Sequence, residues 1–256
     1  DKPYLGSKQQ RVVAYGNKYK KGYLGMDMSG TGAGMFFDYI TIHETGHEWF
    51  GNSITSKDIA DMWIHEGFTT YTETVFIECV KGYDEAIKYV NGQSRSVRND
   101  RPVIAQFGVN KEGSGDMYYK GALMLNTIRH IINDDAKWWK LLYNYSETYK
   151  KQIIDTKTVI DYFNKESGLD LTSVFNQYLT TTKIPKLVLS KTGNKLSYEW
   201  QNVNTDFKMP VDIVINEKTI RLHPTTSKQE TKIDKKIKLE NIQVKTNQFF
   251  IKVEKK

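Results

Sequence analysis

Only one cysteine, Cys79, stands among the 256 residues, so no internal disulfide can brace the fold. It falls on the apolar side of a predicted helix and is expected to pack as a small apolar side chain rather than act as a nucleophile. Apolar runs are short, and none approaches the roughly 18 residues that a membrane-spanning helix needs. No charged start followed by an apolar core marks a leader peptide; the compartment stays open between the cytosol and export from a bacterium. Internal repeats and low-complexity tracts are absent as well. What remains, at 39% hydrophobic residues with mixed charge, is the composition of a soluble globular protein of one large or two modest domains.

A net charge is missing from most of the chain. Residues 1–183 hold twenty-two basic and twenty-two acidic side chains, whereas residues 184–256 hold fifteen and eight, which accounts for the whole net charge of +7. A nucleic-acid partner would have to use this basic piece. Its lysines alternate with Ile and Val, as from Lys232 to Lys238, the pattern of solvated strand faces and lysine-protected edges. No nucleic-acid partner is expected.

Against this background stands His43-Glu44-Thr45-Gly46-His47. Two histidines at i and i+4 on a helix lie one turn apart on the same face, so both imidazoles can reach one ion. The intervening Glu44 points about 100° round the axis, within reach of a water at that ion. This is the His-Glu-x-x-His pattern of zinc peptidases. Catalytic zinc takes a third protein ligand, often Glu. The segment Trp63-Ile64-His65-Glu66-Gly67-Phe68 offers Glu66, on a second predicted helix whose apolar stripe includes Ile59, Trp63, Phe68, Tyr71, Val75 and Phe76. Asp58 is the expected cap of that helix.

His43 to His47, the following Trp49-Phe50-Gly51-Asn52, and Trp-x-x-Glu-Gly-Phe at 63–68 closely resemble the gluzincin (thermolysin-like) zinc aminopeptidases, the family of the alanyl and leucyl aminopeptidases and the leukotriene hydrolase. The resemblance implies one zinc ion on His43, His47 and Glu66, with Glu44 as general base. It matches the family's Tyr-x-Lys-Gly to Tyr118-Tyr119-Lys120-Gly121, implying that Tyr118 donates to the oxyanion. Tyr119, about 100° away on a helix, is expected to pack or face solvent. Glu73, seven residues after Glu66, is either a partner for a zinc-bound histidine or a solvated carboxylate. His65 is expected to be structural.

The family also lines its active site with an edge strand bearing a Gly-x-Met-Glu-Asn type motif, whose Glu holds the substrate's free amine. The strand expected at residues 11–15 puts that motif at Gly6, Ser7, Lys8, Gln9 and Gln10, with Lys8 at the Glu position. A cation there would repel an ammonium. Gly6, Lys8, Gln10 and Val13 are therefore candidate substrate-binding residues, with substrate backbone adding to the strand. Nothing here corresponds to the large β domain that the family carries before this strand, so a catalytic-domain fragment or a shortened relative is expected.

The expected fold is α+β. A mostly helical zincin catalytic domain spans 1–183, with a loop at 16–34 over the site and helices near 36–50, 58–80, 84–97, 135–149, 157–167 (capped by Thr156, stopped by Gly168) and 171–179. After Ile184-Pro185 the period changes from 3.6 to 2, and strands at 187–189, 196–200, 211–215, 220–222 and 249–253 predict a small β-sandwich domain at 184–256. Peptide or protein is the expected substrate. Three activities fit: an aminopeptidase, a zinc hydrolase that does not require a free N-terminus (endopeptidase or epoxide-opening), and a catalytically silent binding module.

Overall fold

A computed structural model describes residues 6–9 and 12–256, with side chains from residue 16 onward. Gln10 thus lies outside the described residues, and Gly6, Lys8 and Val13 are placed by their backbone alone. Strands β1 (Gly6–Gln9) and β2 (Val12–Tyr15) pair antiparallel, Lys8 opposite Val13, and run beside α1 (Tyr39–Gly46). The expected single strand is therefore paired with a second one, and Gly6–Gln9 of the matched motif form that partner strand.

The Asp38 side chain caps α1 by accepting from the Thr41 amide at 3.1 Å. The helix is shorter than the expected 36–50. Gly51, at φ 140°, turns the chain back into β3 (Ile54–Ser56). Asp58 does cap a helix, but it is the short 3₁₀ turn Ile59–Asp61 that precedes α2 (Trp63–Lys81). α2 buries Trp63, Ile64, Phe68, Tyr71 and Ile77 and stops at Gly82 with φ 89°. Its last turn is exposed, Cys79 with it, so the expected packing of that cysteine does not hold.

α3 (Tyr83–Gly92) folds back on α2; α4 (Tyr119–Ile132) follows after a long loop, then α5 (Asp135–Thr148) and β4 (Gln152–Ile154). β4 pairs parallel with β3, a contact unforeseen from the sequence. α6 (Thr156–Ser167) ends at Gly168 with φ 69°, as expected, but its cap is Asp155, which accepts from the Thr158 amide at 2.8 Å. Thr156 instead bonds the buried Asp61 through its amide and hydroxyl. α7 (Thr172–Thr180) closes the helical part.

The change of period after Pro185 yields β5 (Lys186–Thr192), β6 (Lys195–Gln201), β7 (Val211–Ile215), β8 (Lys218–Leu222), β9 (Gln229–Lys232), β10 (Gln243–Val244) and β11 (Lys252–Lys255). They form a four-stranded sheet, β11-β5-β6-β9, and a three-stranded one, β10-β7-β8. β11 starts at Lys252, later than expected, because the chain turns just before it, with the Gln248 and Phe249 amides both donating to the Lys245 carbonyl. The fold is α+β, as the change of period predicts.

One apolar core runs from Trp63, Phe68, Trp138, Phe163 and Phe175 among the helices to Leu187, Trp200, Val211 and Ile213 among the strands. Each such side chain, once buried, stabilises the fold by about 1.5–3 kcal/mol. Polar contacts reinforce the junction. The Arg221 guanidinium donates to the carbonyls of His130 and Ile131 at the end of α4, at 2.7 and 2.9 Å, while gripping the buried Asp212.

Two backbone crossings fix the centre. A Cβ on Gly46 of α1 would stand 3.2 Å from Thr69 Cγ2 on α2, and one on Gly121 of α4 would stand 2.9 Å from Gly67 Cα. Glycine at these three positions lets α1 and α4 approach α2 on either side of Glu66.

Candidate metal centre

α1 presents His43 and its C-cap presents His47; α2 presents Glu66 from its first turn. One ligand atom from each of these three lies within 4.8 Å of the other two. Glu66 Oε2 is 3.4 Å from His43 Nε2 and 3.3 Å from His47 Nε2. Each imidazole is held by its other nitrogen. His43 Nδ1 lies 2.7 Å from Glu73 Oε1, and His47 Nδ1 lies 2.9 Å from the Phe50 carbonyl and 3.1 Å from Thr69 Oγ1. Both Nε2 atoms are thereby turned toward Glu66.

Three observations test whether a cation suits this cluster. Four ligands set tetrahedrally at about 2.0–2.1 Å from zinc stand about 3.3–3.4 Å apart, the spacing found between Glu66 and both histidines. Glu66 Oε2 is buried and makes no hydrogen bond of good geometry; it faces the two imidazole Nε2 atoms, and a buried carboxylate oxygen needs positive charge at that point, from a protonated histidine or from a metal ion. The donor set of two imidazoles and one carboxylate is one that catalytic zinc uses. The residues fit the ion.

Electrostatics agree. Burial alone would lower the His43 pKa, but Glu66 and Glu73 outweigh it and hold it at about 9 in the metal-free protein. Burial would raise Glu66; His43 and His47 instead bring it to about 2. The cluster is built to keep a carboxylate ionised beside positive charge.

Glu44 is half-buried and opens onto a cleft of about 420 Å³ with Tyr23, Met28, Tyr39, Ile40, His43, Tyr118 and Tyr119. Tyr39 and Tyr118 stack on the His43 ring at 5.4 and 6.0 Å between centroids. Tyr118 is the residue before α4, at φ −70°, ψ −80°, and not within the helix. The 100° argument therefore does not separate it from Tyr119, which lines the same cleft instead of packing away or facing solvent. The two differ in surroundings. Burial, then Glu66, Glu112 and Glu44, raises the Tyr118 pKa, whereas burial, then Glu73 and Tyr23, raises that of Tyr119 to about 12. Both hydroxyls keep their protons and can donate.

Glu73 is fully buried, which removes the solvated alternative. His65 Nε2 accepts from the Ser56 amide at 2.8 Å, a structural contact. Sequence reasoning missed Thr69 and Tyr39, although spacing held the signal: Thr69 is three residues after Glu66 and Tyr39 four before His43, each on the same helical face. Tyr89 and Gln93, which bond Glu73 from α3 and the turn after it, had no such signal.

The domain model for peptidase family M1 matches residues 36–178. The probable aminopeptidase 2 of Sulfurisphaera tokodaii is 24% identical over 232 residues, 82% of this chain and 29% of that protein. Aminopeptidase B of Rattus norvegicus is 25% identical over 169 residues, 57% of this chain and 26% of that one. The chain thus spans less than a third of the curated relatives it matches. Among solved structures, Legionella pneumophila aminopeptidase A in complex with aspartic acid shares the fold across 97% of this chain and 30% of its own, at 13% identity and a TM-score of 0.71. An M1 zinc metallopeptidase of Deinococcus radiodurans, in a Glu-to-Ala form bound to a Tyr-Ser-Ala substrate, matches 59% of this chain and 34% of its own, at 24% identity and a TM-score of 0.51. With the family match covering more than half of its length, from the first turn of the metal-site segment to the last helix, this chain belongs to peptidase family M1.

Proposed function

We propose that the chain is the catalytic part of a zinc-dependent aminopeptidase, with residues 1–183 as the catalytic domain and 184–256 as a β-sandwich domain. His43, His47 and Glu66 would hold one zinc ion, which supplies Lewis acidity to a scissile carbonyl and to a water. Glu44 takes the proton of the attacking water and passes it to the leaving amine. Tyr118 donates its hydroxyl to the oxyanion, a contribution of about 3 kcal/mol for donors of this kind. Its neighbourhood of Glu66 and Glu44 favours it over Tyr119 for this role. Glu73 holds the Nδ1 proton of His43 and so keeps Nε2 free for the ion. Substrate backbone lies along β1 and β2, next to Gly6, Lys8, Gln10 and Val13.

The single observation that carries this reading is the buried Glu66 Oε2 at tetrahedral-edge spacing from two oriented imidazoles. A second reading, a zinc hydrolase that needs no free amine, is favoured by one feature: Lys8 occupies the position where the family's amine-binding Glu is expected. Peptide release from a free and an N-acetylated substrate by the zinc-loaded protein, with Glu44→Gln as control, tests both. Cleavage of the free peptide alone supports the aminopeptidase. Equal cleavage supports the second reading. Turnover of neither, with one zinc bound, overturns both.

A further inference from the structure

Glu73 sits on α2 two turns beyond Glu66 and is inaccessible to water. A carboxylate in that position persists only if donors surround it. One of its oxygens, Oε1, faces His43 Nδ1 at 2.7 Å. The other, Oε2, accepts from the Tyr89 hydroxyl at 2.6 Å and from the Gln93 side-chain amide at 3.2 Å. Tyr89 and Gln93 are four residues apart at the end of α3 and the turn that follows, so they reach Glu73 from one face. Both are fully buried, and neither lines the cleft.

An ionised carboxylate is an acceptor only. With Oε2 engaged by two donors, its plane is set and Oε1 is aimed at His43. That arrangement turns Nε2 toward Glu66 and, with a metal ion bound, would keep the remaining imidazole proton on Nδ1. The donors cannot reverse their roles. Burial and the adjacent Glu73 charge push the Tyr89 pKa well above the usual phenol range, so it stays protonated. A Gln93 amide flipped the other way would set its oxygen against a carboxylate.

We propose that Tyr89 and Gln93 are positioning residues of the metal centre: by fixing both oxygens of Glu73 they fix the tautomer and ring angle of His43, and so set how tightly the His43–His47–Glu66 cluster holds zinc. The proposal rests on the reading of that cluster as a zinc site. It assigns to α3, which carries none of the proposed ligands, a share of the metal affinity.

The test uses the full chain stripped of metal and titrated with zinc against a chromogenic chelator, with visible spectra of the cobalt-substituted protein beside it. Tyr89→Phe keeps the ring, which packs edge-on against Phe37 at 5.9 Å, and removes the hydroxyl alone. Partners of this kind typically contribute about 10–100-fold to metal affinity. Tyr89→Phe is expected to weaken zinc about tenfold and to shift the cobalt bands; Gln93→Met, at the longer bond, should weaken it a few-fold. At saturating zinc, kcat should fall in Tyr89→Phe with KM unchanged. Unaltered zinc affinity and cobalt spectra in Tyr89→Phe overturn the proposal, whatever that variant's thermal stability. If Tyr89→Phe does not fold, Gln93→Met decides by the same readouts. A wild-type chain that takes up no zinc overturns the metal reading itself, and the proposal with it.

Discussion

Gly121→Ala is the sharpest probe of how the centre is held together. The new methyl carbon would stand 2.9 Å from Gly67 Cα, with Gly67 N at 3.8 Å behind it. Carbon atoms settle at about 3.5–4.0 Å, so α4 must retreat from α2 by about 0.6 Å or more, and both contacts are backbone that cannot rotate away. Overpacking of this kind costs about 1–3 kcal/mol. Replacing a helical glycine by alanine returns about 1 kcal/mol of propensity. The net loss of stability is therefore modest, about 0–2 kcal/mol. Activity should suffer more. Tyr118 stands three residues before Gly121, so the retreat carries its hydroxyl away from Glu66, and a misplacement of about 1 Å can cost about 100-fold in rate. A loss of about tenfold in kcat is expected, with zinc content intact. Gly67→Ala should do less, since its new carbon meets Met117 O at 3.1 Å and Gly121 Cα at 3.3 Å. Gly46→Ala should do least, because it meets only threonine side chains. Urea unfolding and peptide-release kinetics on the three variants check the order. A Gly121→Ala protein that is more stable than wild type and fully active would refute the reasoning.

Glu44→Gln should bind one zinc yet lose turnover, checked by metal analysis beside the peptide assay. Tyr118→Phe should lower kcat without loss of metal; the same loss from Tyr119→Phe instead would move the oxyanion donor by one residue. Burial pulls the His130 pKa down to about 4. The unfolded chain then binds this proton from about pH 6.5 downward while the folded one resists, so stability is full above pH 6.5 and falls toward pH 4 by up to about 3 kcal/mol. Urea unfolding at pH 7 and 4.5 should show that slope in wild type and a flatter one in His130→Asn. Arg221→Met leaves Asp212 buried without its cation and should cost about 3 kcal/mol, part of it recovered by adding Asp212→Asn.

Local spacing made the core of the site legible. Two histidines four apart on a helix can only share a face, and Glu73, seven beyond Glu66, returns to that of its neighbour. What periodicity could not supply was pairing across distance. β3 and β4 are three-residue strands nearly a hundred positions apart, too short to carry a pattern. β9 reads Gln-Glu-Thr-Lys with no apolar residue and β10 is only Gln-Val, so they read as surface. Tyr89 and Gln93 reach Glu73 only because Gly82 reverses the chain between α2 and α3. Tyr119 departs from its expected place for another reason. The two tyrosines were expected on one helix, whereas α4 begins at Tyr119 and Tyr118 precedes it, so the 100° separation fails and both face the cleft.

X-ray absorption at the zinc edge, on protein reconstituted with one equivalent, tests the central claim most directly. Two nitrogen ligands from imidazole and one carboxylate oxygen are expected, with one nitrogen lost in His43→Ala and the oxygen lost in Glu66→Ala. A spectrum showing only water oxygens, unchanged by either substitution, would contradict the account.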